Sequence, residues 1–379
     1  MKITKLFNDF FESEKAGGLI LIICTILSLI FANSGLGEIY THIWHFKVIG
    51  LSLEHWINDG LMAIFFLLIG LELEREVYQG ELSNIKDALL PIFGAIGGII
   101  LPASIYLYFN FQTPTQSGAG IPMATDIAFA LGILSLLGNR VPVSLKIFLT
   151  ALAVIDDLGA IIIIAIFYTK TLYWTYLLLA LGIFIILIVL NRLKVKSLIP
   201  YLIGGAAMWY FMLHSGVHAT ITGVLLAFAI PFGKGDEEST SYYLQHFLHK
   251  PVAFIILPIF ALANTAIVLS SDIGHLFTQN YSLGIFLGLI LGKPIGIFLF
   301  TFLAVSIGLC KLPEDINWKY LIGVGFLGGI GFTMSIFITL LAFEDLNVIN
   351  NAKFIILISS LLAGSIGFLT LKLSLRRKE

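Results

Sequence analysis

The chain has 379 residues, 58% of them apolar, with 36 glycines and only 12% charged. That charged share is about half that of an ordinary soluble domain, too little to cover a water-facing surface. With 22 basic and 23 acidic side chains the formal net charge is -1, which offers no general pull on nucleic acid or anionic lipid, so composition argues against a soluble enzyme and a nucleic-acid binder.

Apolar runs long enough to cross a bilayer recur along the whole sequence. They fall at roughly 15–33, 58–77, 88–109, 120–138, 143–168, 172–190, 198–213, 217–232, 250–271, 282–309, 318–342 and 352–373. Twelve spans at about 20 residues each leave only short connections, so residues 1–379 read as a single integral membrane domain. Cys24 and Cys310 lie on different apolar runs, which puts neither a disulfide framework nor a paired-cysteine metal site in view.

In chain order, Ile3, Leu6, Phe7, Phe10 and Phe11 recur at helical spacing opposite Lys2, Lys5, Asp9 and Glu12. A short helix lying in the membrane interface and a polar-capped extension of span one both fit that pattern. Span one follows a lysine-containing start as a signal peptide would. Asp9, Glu12 and Glu14 spoil the basic region, however, and no A-x-A site follows, so it is kept as a span. The loop 34–57 alternates over His45-Phe46-Lys47-Val48-Ile49-Gly50-Leu51-Ser52-Leu53, with a glycine where a hairpin would turn. A lone hairpin is marginal in water and has to pack on this chain or on a second copy.

Basic residues orient the spans. With both termini inside, the outer side keeps only Lys47, Lys170 and Lys353, Lys293 lies inside span ten, and the remaining 18 of the 22 are cytoplasmic. That asymmetry is what the positive-inside rule requires. The 34–57 loop is then extracytoplasmic.

Four charged groups stand at membrane depth: Asp126 in span four, Asp156 and Asp157 in span five, and Lys293 in span ten. Each costs about 2.5–3.5 kcal/mol at the bilayer centre on insertion scales, so together they require mutual compensation or water access. Three acids and one base point to a cation site. Asp156 and Asp157 are adjacent, hence about 100° apart on a helix, and can serve different partners. Two such carboxylates with little water cannot both ionise cheaply, which sets a proton in competition with a metal cation. A sodium-sized ion prefers oxygen ligands, available from the carboxylates, the Thr125 hydroxyl and free backbone carbonyls.

Span four opens Gly118-Ala119-Gly120-Ile121-Pro122-Met123-Ala124-Thr125-Asp126 and span eleven carries Gly323, Gly325, Gly328, Gly329 and Gly331. Both look interrupted at mid-membrane. They cross in opposite directions, each at the centre of a three-span set (three to five, ten to twelve), which is the inverted-repeat pattern of transporters. Broken helices meeting head to head gather positive N-termini at one place and negative C-termini at another, where Asp126 and Lys293 are suitable neutralisers. Glycines serving close helix packing explain span eleven nearly as well but do not account for Asp126. Gly323-x-Gly325-x-x-Gly328 also matches a dinucleotide fingerprint, which requires a strand-turn-helix that a membrane span does not supply. Gly292-Lys293-Pro294 lacks the spacing of a P-loop.

Several motifs together resemble the NhaA-type sodium/proton antiporters: Ala153-Val154-Ile155-Asp156-Asp157-Leu158-Gly159-Ala160, Met123-Ala124-Thr125-Asp126-Ile127-Ala128-Phe129, Gly292-Lys293-Pro294-Ile295-Gly296 and Gly331-Phe332-Thr333-Met334-Ser335. Phe65-Phe66-Leu67-Leu68-Ile69-Gly70-Leu71-Glu72 and Ser215-Gly216-Val217-His218-Ala219-Thr220 extend the likeness over essentially the whole chain. The resemblance implies an all-α polytopic protein of twelve transmembrane helices with inverted repeats, two broken helices (spans four and eleven) and a small extracytoplasmic β-hairpin through which two copies pair. It implies electrogenic exchange of cytoplasmic Na+ or Li+ for external protons across a bacterial inner membrane, rising at alkaline pH, with no cofactor beyond the transported ions. By matching positions, Asp157 is the principal ion and proton ligand, Asp156 a second carboxylate paired with Lys293 when no sodium is bound, and Asp126 and Thr125 sit at the crossing of the broken spans. Asp59 and Glu72, at the two ends of span two, are placed along or near the cytoplasmic approach.

Two residues depart from the family pattern. Glu74 stands where a basic residue is expected, and Gln245 precedes His246 and His249 where the pH-sensing cluster usually carries an acid. His246 and His249 share a helix face at the start of span nine, which suits titration near neutrality and an ordinary interfacial role alike. His218 is expected to hydrogen-bond a neighbouring helix, and His42-x-x-His45 lacks further ligands for zinc. Two other classes compete with antiport. An intramembrane aspartyl protease would use Asp126 with Asp156 or Asp157 but lacks the Gly-x-Gly-Asp context and leaves Lys293 unexplained; a passive cation channel would conduct without moving protons.

Overall fold

A computed structural model of the chain describes residues 2–169, 171–268, 274 and 277–375, with side chains described from residue 15 onward except at 81, 85 and 139. The helices, labelled here in chain order, begin with α1 (Lys2–Ala32) and α2 (Gly37–His45). Strands β1 (Lys47–Val48) and β2 (Leu51–Ser52) pair antiparallel, Lys47 opposite Ser52 and Val48 opposite Leu51. Ile49 and Gly50 make the turn, both at positive φ (51° and 83°), the two-residue geometry that follows strand twist, in which glycine is at ease and a β-branched residue is not.

Next come α3 (Leu53–Tyr78), α4 (Ile85–Asn110), a 3-10 segment (Gln116–Met123), α5 (Ile127–Ser135), α6 (Val143–Phe167) and α7 (Trp174–Arg192). Beyond them lie α8 (Ile199–Leu213), α9 (Ile221–Ala229), α10 (Thr240–Asn264), α11 (Asn280–Ser306), α12 (Trp318–Gly328), α13 (Phe332–Ala342) and α14 (Leu346–Leu375). Among the described residues nine helical segments are long and apolar enough to cross a bilayer, and a tenth counts if α12 and α13, bent by 45°, form one span. The expected spans seven and eight are the shorter α8 and α9, of 15 and 9 residues. At 1.5 Å per residue α9 covers only about 14 Å. It is shortened by the turn at Gly216 (φ +87°), whose backbone the Ser215 hydroxyl engages at Val217 N, and by Pro231 just past its end.

Span nine also moves. It was expected over 250–271, but α10 starts at Thr240, capped by the Ser239 hydroxyl, which accepts from Tyr242 N at 3.3 Å. His246 and His249 therefore share this helix, as their spacing suggested, ahead of its apolar run. Near the N-terminus α1 is helical from Lys2, while the facing of Ile3 to Phe11 lies outside the described side chains. Cys24 and Cys310 are free thiols.

Wide π turns interrupt α3 (Trp56–Leu61), α10 (Val252–Ile256) and α11 (Gly288–Gly292). The last two have a local cause. Pro258 and Pro294 have no N–H for the carbonyls four residues back, Phe254 and Ile290, and both carbonyls fall inside the π turns. The second of these turns ends immediately before Lys293.

α4 packs along α11, α3 along α9, α1 along α5 and α10, and α14 along α12. The α4–α11 contact is closest at Gly97 and Gly296, where a Cβ on either glycine would run into the other's carbonyl oxygen. Only hydrogen fits there, and the crossing brings Lys293 inward beside Gly98. Gly97→Val should therefore lower the thermal unfolding midpoint of detergent-purified protein, by about 1–3 kcal/mol of overpacking. Gly182→Ala, at a position with open space, should leave the midpoint where it is. Equal midpoints for the two variants would refute the close crossing.

Candidate functional site

Two helix interruptions meet in the interior. On one chain segment the 3-10 turn ends at Met123, Ala124 is extended and α5 starts after Asp126; on the other, α12 ends at Gly328 and α13 starts after Gly331. The segments are tied by Asp126 N donating to Ile330 O at 2.7 Å. Helix ends leave unpaired N–H and C=O groups, which have to find partners when no water reaches them.

Asp126 serves the N-terminal ends of both helices. Its Oδ1 accepts from Phe129 N at 2.9 Å, capping α5, while Oδ2 accepts from Thr333 N at 3.1 Å and from the Thr333 hydroxyl, capping α13. Another first-turn donor of α13, Phe332 N, goes to Ser360 Oγ of α14 at 3.0 Å. A carboxylate so placed also faces the positive ends of two helix dipoles.

The C-terminal ends are served from the other side. Lys293 Nζ donates to Met123 O and to Asp156 Oδ2, the latter at 2.6 Å, with both side chains wholly buried. The Thr125 hydroxyl lies 2.7 Å from Asp156 Oδ2 and 2.8 Å from Gly328 O, with one proton for two acceptors. Thr125, Asp156 and Lys293 thus form one connected group, buried together with Asp126.

Asp157 differs from these. It is 1% exposed, and neither carboxylate oxygen has a hydrogen-bond partner; Asp156 Oδ1 is likewise unpartnered. Buried polar atoms are nearly always satisfied, so three bare carboxylate oxygens side by side mark a place built to take a proton or a cation. Asp156, Asp126 and Glu72 all act on Asp157 electrostatically, which concentrates negative charge around it. Among the described residues no group of three His, Cys, Asp or Glu side chains is arranged to hold a metal ion, so any cation here would also draw on hydroxyl and backbone oxygens.

Glu72 and His249 line one cleft together with Phe65, Ile69, Ala128 and Ala253. It lies between α3, α5 and α10, holds about 30 Å³ and has Ile127 and Ala128 of the first turn of α5 in its wall. His246 lies one turn earlier on α10, exposed and stacked on Tyr242 at 3.8 Å between ring centroids. Asp59 is not brought to this cleft. It is at the hairpin end of α3, 3.0 Å from His55 Nε2, and 13 residues of helix, about 20 Å, separate it from Glu72.

Glu74 is buried, 5% exposed, with Oε2 unpartnered, and Gln245 is buried on α10, which packs against α3. His218 Nε2 lies 3.2 Å from Tyr168 O, a contact between neighbouring segments, and His45 Nδ1 lies 3.7 Å from Glu54. Gly323 to Gly328 are helical within α12, with no strand before them. A cavity of about 600 Å³ lies elsewhere, between α4, α6 and the turn at Gly308, and is lined by none of these residues.

Sequence reading missed Ser360 and Thr333 as capping donors and acceptors. It also placed Lys353 at the outer rim, whereas α14 begins at Leu346 and buries it to 5% exposure. A lysine at the edge of an apolar run was the available signal.

Residues 8–371 match the family model described as Na+/H+ antiporter 1. The Na(+)/H(+) antiporter NhaA of Flavobacterium psychrophilum is 75% identical over 99% of this chain and 98% of its own length, and that of Cytophaga hutchinsonii is 64% identical over 99% and 97%. A solved structure, the sodium proton antiporter MjNhaP1 of Methanocaldococcus jannaschii, aligns over 100% of this chain and 99% of its own with a TM-score of 0.56 at 15% identity, a likeness of fold.

Removing one member of a buried ion pair strands the other, at a typical cost of about 3–5 kcal/mol, whereas replacing both by neutral groups is often tolerated. Lys293→Met should accordingly lower the unfolding midpoint of the purified protein, and adding Asp156→Asn should recover most of the loss. A double variant no more stable than Lys293→Met would show that the two side chains do not act as a pair.

Proposed function

The chain belongs to the Na+/H+ antiporter 1 family, and from that premise we propose that it exchanges cytoplasmic Na+ or Li+ for external protons, electrogenically, across a bacterial inner membrane. The observation that carries this reading is the bare carboxylate of Asp157 beside an Asp156 already engaged by Lys293 and Thr125. Such a site has one acid free to bind and a neighbour whose charge is balanced internally.

In this proposal twelve segments cross the membrane, α4 to α6 and α11 to α14 are inverted repeats, and both termini are cytoplasmic, as the 18 basic residues on that side support. The hairpin end then faces outward and the Glu72–His249 cleft inward. A cytoplasmic ion enters along the cleft, drawn by Glu72 and the surrounding negative potential, and sheds water to the oxygens of Asp157, Asp156 and Thr125. Its charge competes at Asp156 with that of Lys293 and at Asp157 with a proton, so cation and proton exclude one another. The site then opens outward, external protons displace the ion, and the Lys293–Asp156 pair re-forms. No bond in the cargo is made or broken; the protein is a transporter and not an enzyme. His246 and His249, near the inner mouth, tune the response to cytoplasmic pH. The protease alternative loses support because Asp126 is committed to three donors at two helix ends.

Inside-out vesicles from an antiporter-deficient host, energised by respiration and then given NaCl or LiCl between about pH 6.5 and 8.5, should show collapse of the pH gradient. Asp157→Asn should abolish it with the protein still in the membrane. Retained exchange in that variant would sink the assignment, and Na+ conduction without proton movement would establish the channel instead.

The hairpin leaves Phe46 65% and Ile49 88% exposed. We assign this apolar edge to a second copy of the chain, in a homodimer. Phe46→Ser with Ile49→Ser should raise the monomer fraction in light scattering of detergent-purified protein; an unchanged mass would place the contact elsewhere.

A further inference from the structure

Lys353 is a buried cation that the ion site does not use. It extends from α14 to Asn264 Oδ1 at the end of α10, 3.4 Å away, its only hydrogen bond among the described residues. Asn264 Nδ2 in turn donates to Asn58 Oδ1 of α3 at 2.8 Å. Lys353, Asn264 and Asn58 thus form a polar layer joining three helices near the hairpin end.

Beneath that layer the same helices supply an apolar one. Phe66 of α3 and Phe260 of α10 lie 5.5 and 6.5 Å, centroid to centroid, from Phe337 of α13, and all three are buried. Met62, fully buried, follows the π turn that contains Asn58 and stands one helical turn before Phe66, between the two layers. Deeper still are Asp126 and the Thr333 cap. Ser360, which bonds the first turn of α13, is seven residues along α14 from Lys353, about 10 Å. The side of the ion site toward the hairpin is therefore covered by an aromatic layer with a polar lid, while the cleft lined by Glu72 and His249 lies toward the other end of α3.

α14 packs on α11, α12 and α13 but makes only marginal contact with α10, so the lysine arm is a principal link between them at this level. A buried charge reaching across a weakly packed boundary to a single amide oxygen is costly in itself, and such groups are retained for a function.

We propose that Lys353 is the latch of the outer gate: its ammonium, held by the Asn264–Asn58 pair, keeps α14 against α10 and closes the outer route while the site is open inward. The inference rests on antiport by alternating access. Outward opening requires the contact to part, after which the ammonium is hydrated by the entering water and the aromatic layer separates. Lys353 acts on access and touches no transported ion in the closed state.

Thiol labelling tests this without reading transport. In a full-length background carrying Cys24→Ala and Cys310→Ala, Met62→Cys reports outer opening to an impermeant maleimide added to intact cells. Ala253→Cys, on the inner cleft, reports inner opening in inside-out vesicles. With Lys353 present the first, at a fully buried position, should label more slowly than the second, at a position 5% exposed. Lys353→Met, which keeps the bulk and removes the charge, should raise the Met62→Cys rate by about fivefold or more and lower the Ala253→Cys rate, because outward-open and inward-open populations exclude one another. Lys353→Arg should stay close to the parent. The same shifts should appear with Asp157→Asn added, so the latch is judged even if the exchange assignment fails. An unchanged Met62→Cys rate overturns the proposal, and so does a rise at both cysteines, which would mean general loosening.

Discussion

An interrupted helix in an apolar interior has to find partners for its end groups within the protein, and the structure is arranged around that requirement. Two interruptions cross, and two charged side chains with a threonine hydroxyl serve the ends that result. Delivering Lys293 to this point constrains α11 throughout. Its π turn, caused by Pro294, comes directly before the lysine, and its contact with α4 is so close that it tolerates only glycine at 97 and 296. The supporting cap at Phe332 N fixes α14 as well, through Ser360. Elements far apart in sequence are thus held by one electrostatic necessity.

The three buried aspartates do different work although they are chemically alike. Asp126 spends both oxygens on helix ends, Asp156 spends one on an ammonium and a hydroxyl, and Asp157 spends neither. Adjacency in sequence produces the contrast between the last two: successive residues of α6 point in directions about 100° apart, so one meets Lys293 and the other does not. In the proposed exchange, a single negative charge balanced inside the protein, next to one left unbalanced, lowers the desolvation cost of binding a small cation.

Much of this was legible from the chain because charge is so scarce in it. Asp126, Asp156, Asp157 and Lys293 stand out against apolar runs, and Pro122 and the glycines after Gly323 signal that the backbone there cannot be a plain helix. What the sequence left hidden were facts of register and reach. Lys353 reads as an outer-rim residue because hydropathy cannot say where a helix begins, and α14 starts at Leu346, six residues before the apolar run. Span nine starts earlier than its apolar run for a similar reason: Ser239 caps a polar first stretch that hydropathy alone discounts. Capping by Thr333 and Ser360 depends on two segments meeting in space, for which a single sequence holds no signal.

The Thr125 hydroxyl, set between Asp156 and the last carbonyl of α12, has a consequence of its own. While Asp156 is ionised the hydroxyl hydrogen belongs to the carboxylate, and the Gly328 carbonyl goes without it. Once Asp156 carries a proton it can donate to Thr125, and the hydroxyl hydrogen swings to Gly328. The charge on Asp156 of α6 is thereby relayed to the last carbonyl of α12 by the rotation of a single O–H bond, with no heavy atom required to move.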